Sequence, residues 1–176
     1  TVKSFSAPEF SDLNNDGNPD LILGNIDDAA DFFWNNSHSF PTTFSKDTSV
    51  LYHIYNSGQT NTNSDYPTFI DLDGDLDLDL VIGGYNGLRY YENIGTLSSP
   101  EFTAVDTIFI DVNSQIGSDA QPAFIDIDDD GDLDLAFGNQ GNSVIPTKPI
   151  CIFYNNGGTF PTVPNWLSAD EMITNS

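Results

Sequence analysis

The sequence predicts an all-β fold, on the basis of short apolar runs, their residue types and their boundaries. The runs are rich in β-branched and aromatic residues and end at Gly, Asn, Asp or Pro, as strands and turns do. A helical interpretation stays open only for 108–116 and 166–174. With 38% hydrophobic and 12% aromatic residues, the 176-residue chain can bury a core.

The chain contains three copies of one segment, which align without gaps and begin at Pro8, Pro67 and Pro122. In each copy a Phe follows the proline by two residues, an Asp by four and a Gly by sixteen. The three aspartates are separated by 59 and 55 residues. We therefore treat the chain as a single domain, 1–176, with repeats at about 7–66, 67–121 and 122–176.

Each repeat contains the material for four short strands. An apolar strand leads into an Asp-rich loop, and a second apolar strand follows as LILG, LVIG or LAFG. An aromatic third strand comes next (FFWNN, RYYEN, IFYNN), and the fourth lies in TTFSKDTSVLYHIY, PEFTAVDTIFI or GTFPTVPNWL. Four antiparallel strands in 40–60 residues form one blade of a β-propeller. Three blades are half of a six-bladed propeller or part of a larger one.

The acidic residues are concentrated in the loops between the first two strands. Fourteen of the 23 aspartates lie in the windows 12–20, 71–79 and 126–134. Side chains at positions 1, 3 and 5 of each window alternate with residues that face away, so their oxygens converge. Position 7 offers its carbonyl and position 9 a further carboxylate. The candidate metal ligands are Asp12, Asn14, Asp16, Asn18, Asp20, Asp71, Asp73, Asp75, Asp77, Asp79, Asp126, Asp128, Asp130, Asp132 and Asp134.

This set of hard oxygen ligands, without His or Cys, predicts calcium rather than zinc or copper, with up to three structural ions. Position 6 is Gly in the first and third loops, where it permits a sharp turn, but Leu76 in the second. A left-handed Leu costs roughly 1–2 kcal/mol, and Gly74 is placed to relieve it. The third loop, with four acidic side-chain ligands and its glycine, is predicted to bind calcium most tightly.

Two other interpretations of the loops fit the sequence less well. A helical calcium hand needs a Glu at position 12, where this chain has Leu23, Ile82 and Phe137, and its flanks are helices rather than strands. Asp-rich turns without an ion are the other. Three copies in register argue against ion-free turns, because clustered carboxylates repel one another.

The pattern Phe-x-Asp-x-Asp-x-Asp-Gly-x-x-Asp-Leu-x-x-Gly resembles the FG-GAP or VCBS-type repeat, and Phe137-Gly138 reproduces its Phe-Gly pair. The resemblance extends from Pro8 to about Asn165. Such repeats form calcium-binding propeller blades in integrin α-subunit heads, some fungal lectins and secreted bacterial proteins. The resemblance implies structural calcium, held by side chains at positions 1, 3, 5 and 9 and by the carbonyl at position 7.

The aromatic third strands suggest a sugar-binding platform, but their recurrence at the same position in every blade favours packing between blades. The candidate ligand contacts are Trp34, Tyr90, Tyr91, Tyr154 and Trp166. Residues that break the repeat are further candidates, namely His38, His53, the loop 56–66 and the insertion 138–149.

Charge excludes several functions. The formal charge of −23, with 27 acidic and 4 basic residues, rules out binding to nucleic-acid phosphates and argues against docking on anionic membranes. No apolar run is long enough for membrane insertion. A polysaccharide lyase is one alternative, but the scarcity of Lys and Arg argues against polyanionic sugars. The two histidines lie outside known catalytic motifs, and calcium-bound aspartates are poor acids and bases.

The sequence therefore predicts a secreted or cell-surface calcium-binding module without enzymatic activity, which binds a glycan, as a lectin does, or an extracellular protein. A purely structural or assembly module of a larger surface protein is the second interpretation. Because three blades do not close a ring, we expect a homodimer or other self-assembly that completes the propeller, a piece of a longer propeller, or another form of closure.

Overall fold

The computed structural model describes residues 6–25, 30–38, 42–50, 65–85, 87–105, 108–113, 118–138, 150–155, 157 and 166–168. Its strands are β1 (Ser6–Ser11), β2 (Asp20–Asn25), β3 (Asp31–Asn35), β4 (Phe44–Asp47), β5 (Tyr66–Ile70), β6 (Asp79–Gly84), β7 (Gly87–Asn93), β8 (Phe102–Val105), β9 (Gln121–Ile125), β10 (Asp134–Gly138), β11 (Cys151–Asn155) and β12 (Trp166–Ser168). One helical turn, α1 (Ile110–Asn113), precedes β9.

The strands form three four-stranded antiparallel sheets, and each sheet follows the chain order of its strands. We call them blade 1 (β1–β4), blade 2 (β5–β8) and blade 3 (β9–β12). The first strands of neighbouring blades are in contact, β1 with β5 and β5 with β9. The prediction of three four-stranded antiparallel blades is confirmed.

The Asp loops close the first hairpin of every blade in the same register. The last residue of the first strand pairs with the aspartate at position 9 of the loop, as in the pairs Ser11↔Asp20, Ile70↔Asp79 and Ile125↔Asp134. Each loop therefore begins and ends at the same points of its hairpin. The fold positions three equivalent loops at the same end of three equivalent sheets.

The core lies between the blades and has two parts. One apolar cluster joins blades 1 and 2, and the other joins blades 2 and 3. Strand β6 serves both, because successive side chains of a strand point to opposite faces: Leu80 and Ile82 pack towards blade 1, and Val81 towards blade 3. All six residues of β6 are buried.

In the first two repeats, the glycine meets the proline of the next repeat across the junction between blades. A Cβ atom on Gly24 would lie 1.9 Å from the Asp65 carbonyl oxygen and 2.8 Å from Pro67 Cδ. A Cβ atom on Gly83 would lie 2.1 Å from the Ala120 carbonyl oxygen and 2.6 Å from Pro122 Cδ. Only glycine allows this approach, so the Gly and the Pro of the repeat belong to one packing feature.

Of the two segments with a helical alternative, the first contains α1 and the second begins with β12. Val112 of α1 is fully buried in the cluster between blades 2 and 3. The Asn113 side chain accepts a hydrogen bond from the Leu88 amide (2.8 Å) and donates one to its carbonyl (2.9 Å).

His53, most of the loop 56–66 and residues 139–149 lie outside the described residues. Within the described part, no helix is long and apolar enough to cross a membrane.

Candidate metal centre

Backbone amides fold each Asp loop around the carboxylate at position 1. The position-6 amide donates to its Oδ2 atom at 2.8, 3.1 and 3.0 Å in the three loops. The Oδ1 atom accepts from Asp16, Gly74 or Asp130 at 2.9, 2.8 and 3.1 Å. The position-1 aspartate thus organises the loop and keeps lone pairs for a cation.

A second bond recurs at the exit of each loop. The position-7 amide donates to the position-5 carboxylate, in the pairs Asn18–Asp16 (2.8 Å), Asp77–Asp75 (3.0 Å) and Asp132–Asp130 (2.9 Å). These short-range bonds are Asx turns, which Asp and Asn form readily. They fix the position-5 side chain and the chain direction at position 7, where the resemblance places a carbonyl ligand.

The position-9 aspartates, Asp20, Asp79 and Asp134, are fully buried and join the loop to the third strand. Their Oδ2 atoms accept the position-2 amides of Leu13, Leu72 and Ile127 at 3.2, 3.0 and 2.8 Å. Their Oδ1 atoms accept the amides of Asn35, Asn93 and Asn155 at 2.8, 2.8 and 2.9 Å. Each carboxylate therefore binds two backbone segments that are distant in sequence.

These three asparagines are site-supporting residues that the sequence analysis assigned only to the aromatic strand. The side-chain amide of Asn35 also donates to the Pro19 carbonyl (3.0 Å), and the side-chain amide of Asn93 donates to the Leu78 carbonyl (3.3 Å). The signal in the sequence is an Asn near the end of every aromatic strand, at the fourth residue of FFWNN and IFYNN and at the fifth of RYYEN.

Two positions of each loop are left-handed, not one. Position 4 has φ of 55° at Asn15, 80° at Gly74 and 62° at Asp129. Position 6 has φ of 87° at Gly17, 81° at Leu76 and 94° at Gly131. The second loop has its glycine at position 4, whereas the other two loops have theirs at position 6. Leu76 is therefore itself left-handed, and Gly74 does not remove its strain. Asn and Asp adopt this conformation more readily than Leu.

Carboxylate oxygens converge in two loops. One oxygen from each of Asp71, Asp73 and Asp79 lies within 4.8 Å of the others, and the same holds for Asp126, Asp128 and Asp130. In the first loop, Asn14 replaces one of these carboxylates, and its amide donates to Asp16 at 3.3 Å. The all-oxygen donor sets of the second and third loops fit a hard divalent cation.

The second loop has the most unfavourable electrostatics. Burial raises the pKa of Asp79 to about 7. Burial, followed by repulsion from Asp75, raises the pKa of Asp77 to about 6. One carboxylate oxygen of Asp77 is buried without a hydrogen-bond partner among the described residues. A cation would offset these costs, since it favours the ionised carboxylates.

The candidates Tyr90 and Tyr91 are core residues, and their prediction as ligand contacts is wrong. They are 2% and 1% exposed, and they pack on opposite sides of blade 2. The Tyr90 hydroxyl donates to Asp79 Oδ2 at 2.8 Å, and thus supports the second Asp loop instead. Successive side chains of β7 point to opposite faces of blade 2. Both faces are buried, because blade 2 has a neighbouring blade on each side.

The other candidate ligand contacts have different positions. Trp34 is half-buried, and its Nε1 donates to Asp47 Oδ2 at 2.8 Å. Tyr154 is half-buried in β11, and Trp166 begins β12, although its side chain lies outside the described part. His38 is exposed beside the first loop, with a ring nitrogen 3.3 Å from Asn18 Nδ2.

A family model described as an FG-GAP-like repeat matches the chain at residues 12–82 and again at 71–137. The chain belongs to the FG-GAP-like repeat family. Each match begins at the first aspartate of one Asp loop, includes the next Asp loop and ends in the strand that follows that loop. All three loops therefore lie within FG-GAP-like repeats. Comparisons with curated proteins and with solved structures found no match.

Proposed function

We propose that the three Asp loops each bind one structural calcium ion and that the blades form an extracellular binding module. The observation that carries this proposal is the convergence of three carboxylates in the second and third loops. The side chains at positions 1, 3, 5 and 9 and the carbonyl at position 7 are the proposed ligands. Calcium fits this set better than magnesium, which demands a stricter geometry and keeps its waters.

Calcium binding is tested by titration calorimetry and by the melting temperature in calcium and in chelator. Each site filled at 100-fold its Kd adds about 2.7 kcal/mol, or roughly 5–10 °C for a chain of this size. We expect Asp128→Asn to lose one site of up to three. Asp129→Asn removes the same charge at the adjacent position 4 and serves as the control. Equal melting in calcium and in chelator would refute the proposal.

The gain from calcium should increase with pH. In chelator, the raised pKa of Asp79 means that the folded chain holds a proton which the unfolded chain has lost. Stability present at low pH is therefore lost as the pH rises through about 7. Calcium binds the ionised carboxylates and removes this loss. We expect a larger difference in melting temperature between calcium and chelator at about pH 8 than at about pH 5.

A module of this kind binds a partner rather than catalyses a reaction, and we propose a glycan or an extracellular protein as that partner. We also propose a secreted or cell-surface location, because calcium is abundant there and fills sites of modest affinity. The calcium ions would keep the loop carboxylates ionised, so these side chains are poorly suited to proton transfer.

Assembly is a second proposed function, favoured by residues at the outer faces of blades 1 and 3. Phe10 of blade 1 is 57% exposed, whereas its equivalent Phe69 is 8% exposed because blade 1 covers it. Ile125 of blade 3 is 58% exposed, whereas its equivalent Ile70 packs between blades 2 and 3. We propose that blade 1 of one copy packs on blade 3 of another, so that two copies complete a six-bladed ring.

A further inference from the structure

A cleft of about 320 Å³ opens at the junction of blades 1 and 2, and its lining contains no residue of the Asp loops. Blade 1 contributes Trp34, Asp47 and Ser49 to its lining, and the connection between β7 and β8 contributes Ser98, Ser99 and Glu101. The position of Trp34 is occupied by Glu92 in blade 2 and by Tyr154 in blade 3. The cleft therefore has a residue composition of its own, which the repeat does not explain.

The indole of Trp34 is fixed on two sides. Its ring meets Phe32 edge to face, with centroids 4.7 Å apart and planes at 80°. Its Nε1–H is already donated to Asp47 Oδ2 at 2.8 Å. The indole thus has no free polar donor, and the surface it offers the cleft is carbon. A rigid aromatic surface of this kind binds at a low cost in conformational entropy.

The polar groups of the cleft are also held in place. Asp47 Oδ1 accepts from the Ser49 amide at 2.7 Å and from the Ser49 hydroxyl at 2.6 Å. These bonds, with the side-chain bond from Ser49 foremost, lower the pKa of Asp47, so it stays a carboxylate at neutral pH. On the opposite wall, Thr96 and Ser99 exchange backbone hydrogen bonds of 3.1 and 2.9 Å, and the Glu101 amide donates to Asn93 at 2.9 Å.

The charge of the lining narrows the ligand class. Two carboxylates and no cationic side chain are among the described residues that line the cleft. Anionic ligands such as uronic acids, sulfated sugars and phosphates are therefore disfavoured. The exposed hydroxyls of Ser98 and Ser99 can donate and accept, and the Ser49 hydroxyl, which donates to Asp47, can still accept, which suits a ligand that carries several hydroxyl groups.

We propose that this cleft binds one pyranose unit of a neutral glycan, with the apolar face of the sugar on Trp34 and its hydroxyl groups on Glu101 and the serines. This assignment rests on the proposed binding function and gives it a site and a ligand class. The calcium loops have no direct part in it, since they lie outside the cleft lining.

The test uses the whole chain in calcium, a panel of immobilised neutral and acidic glycans, and calorimetry with the neutral glycan that binds. We expect Trp34→Ala to weaken binding at least tenfold. Because Trp34 also packs against the core, Glu101→Gln at an exposed position provides a second variant, with an expected loss of threefold or more. Tyr85→Ala, an exposed aromatic residue that does not line the cleft, is the matched control and should bind like the wild type.

Each outcome separates the site from the calcium function. Binding that is unchanged in both Trp34→Ala and Glu101→Gln overturns the assignment. An absence of neutral glycan binding, or a preference for an acidic glycan, also overturns it. The melting difference between calcium and chelator is recorded on the same samples. If it persists while glycan binding fails, the calcium module stands and the cleft assignment falls.

Discussion

At the scale of single residues, Leu76 is a conflict between side chain and backbone. It has φ of 81°, is 78% exposed and stands where the other loops have glycine. We expect Leu76→Gly to raise the free energy of unfolding by about 1 kcal/mol, because the strain of a left-handed Leu exceeds the extra entropy of glycine in the unfolded chain. Denaturant unfolding in excess calcium measures this.

Leu97→Gly is the control for that experiment, since Leu97 is also exposed but lies outside the left-handed residues. It should give no gain in stability. A loss of stability in Leu76→Gly would contradict the strain argument. It would show instead that the Leu76 side chain stabilises the second loop.

The loop side chains could be predicted from sequence because alternation and spacing alone bring their oxygens together. The left-handed position 4 was not predicted, since Asn15 and Asp129 adopt this conformation without the signature of a glycine. The burial of Tyr90 and Tyr91 agrees with the packing interpretation of the aromatic strands, but the sequence did not single out these two side chains as core residues. Their burial depends on which blades stand beside β7, and no local pattern encodes that.

At the scale of elements, the hairpins and their order could be predicted because each strand is short, apolar and bounded by turn residues. The single turn of α1 is too short to show helical periodicity, and it forms where Val112 packs between two blades. The contact between Gly24 and Asp65–Pro67 joins residues of different repeats. The sequence therefore shows the repeated glycine and the repeated proline, but not that they touch.

That contact leads to a prediction for the junction between blades 2 and 3. A Cβ atom on Gly83 would lie 2.1 Å from a backbone carbonyl oxygen, which cannot move without separating the blades. We expect Gly83→Ala to lower the free energy of unfolding by about 3 kcal/mol or more. Chemical denaturation in calcium gives the value.

Gly74→Ala is the comparison for this variant. Gly74 has φ of 80° but nothing within 4 Å of a Cβ, so only backbone strain of about 1–2 kcal/mol is expected. If Gly83→Ala cost no more than Gly74→Ala, the close packing between blades 2 and 3 would be wrong.

At the scale of the whole molecule, the net charge of −23 and the position of the core between blades both indicate that ion binding and blade stacking depend on each other. Each apolar cluster needs two blades, so an outer blade keeps one face without such a cluster among the described residues. Three calcium ions would reduce the charge to −17 and lower the repulsion between carboxylates. Ion binding and blade stacking are therefore expected to depend on each other.

This dependence leads to a prediction about mass. In calcium, light scattering should give about twice 19.2 kDa. In the proposed dimer, Phe10 of one copy and Ile125 of the other would occupy the places that Phe69 and Ile70 fill within the chain. Phe10→Asp and Ile125→Asp each place a charge in the proposed contact and should return the mass to 19.2 kDa. Leu97→Asp changes an exposed leucine outside these faces and should leave the dimer intact. A wild-type mass of 19.2 kDa at micromolar concentration in calcium would refute ring closure by two copies and leave the calcium sites unaffected.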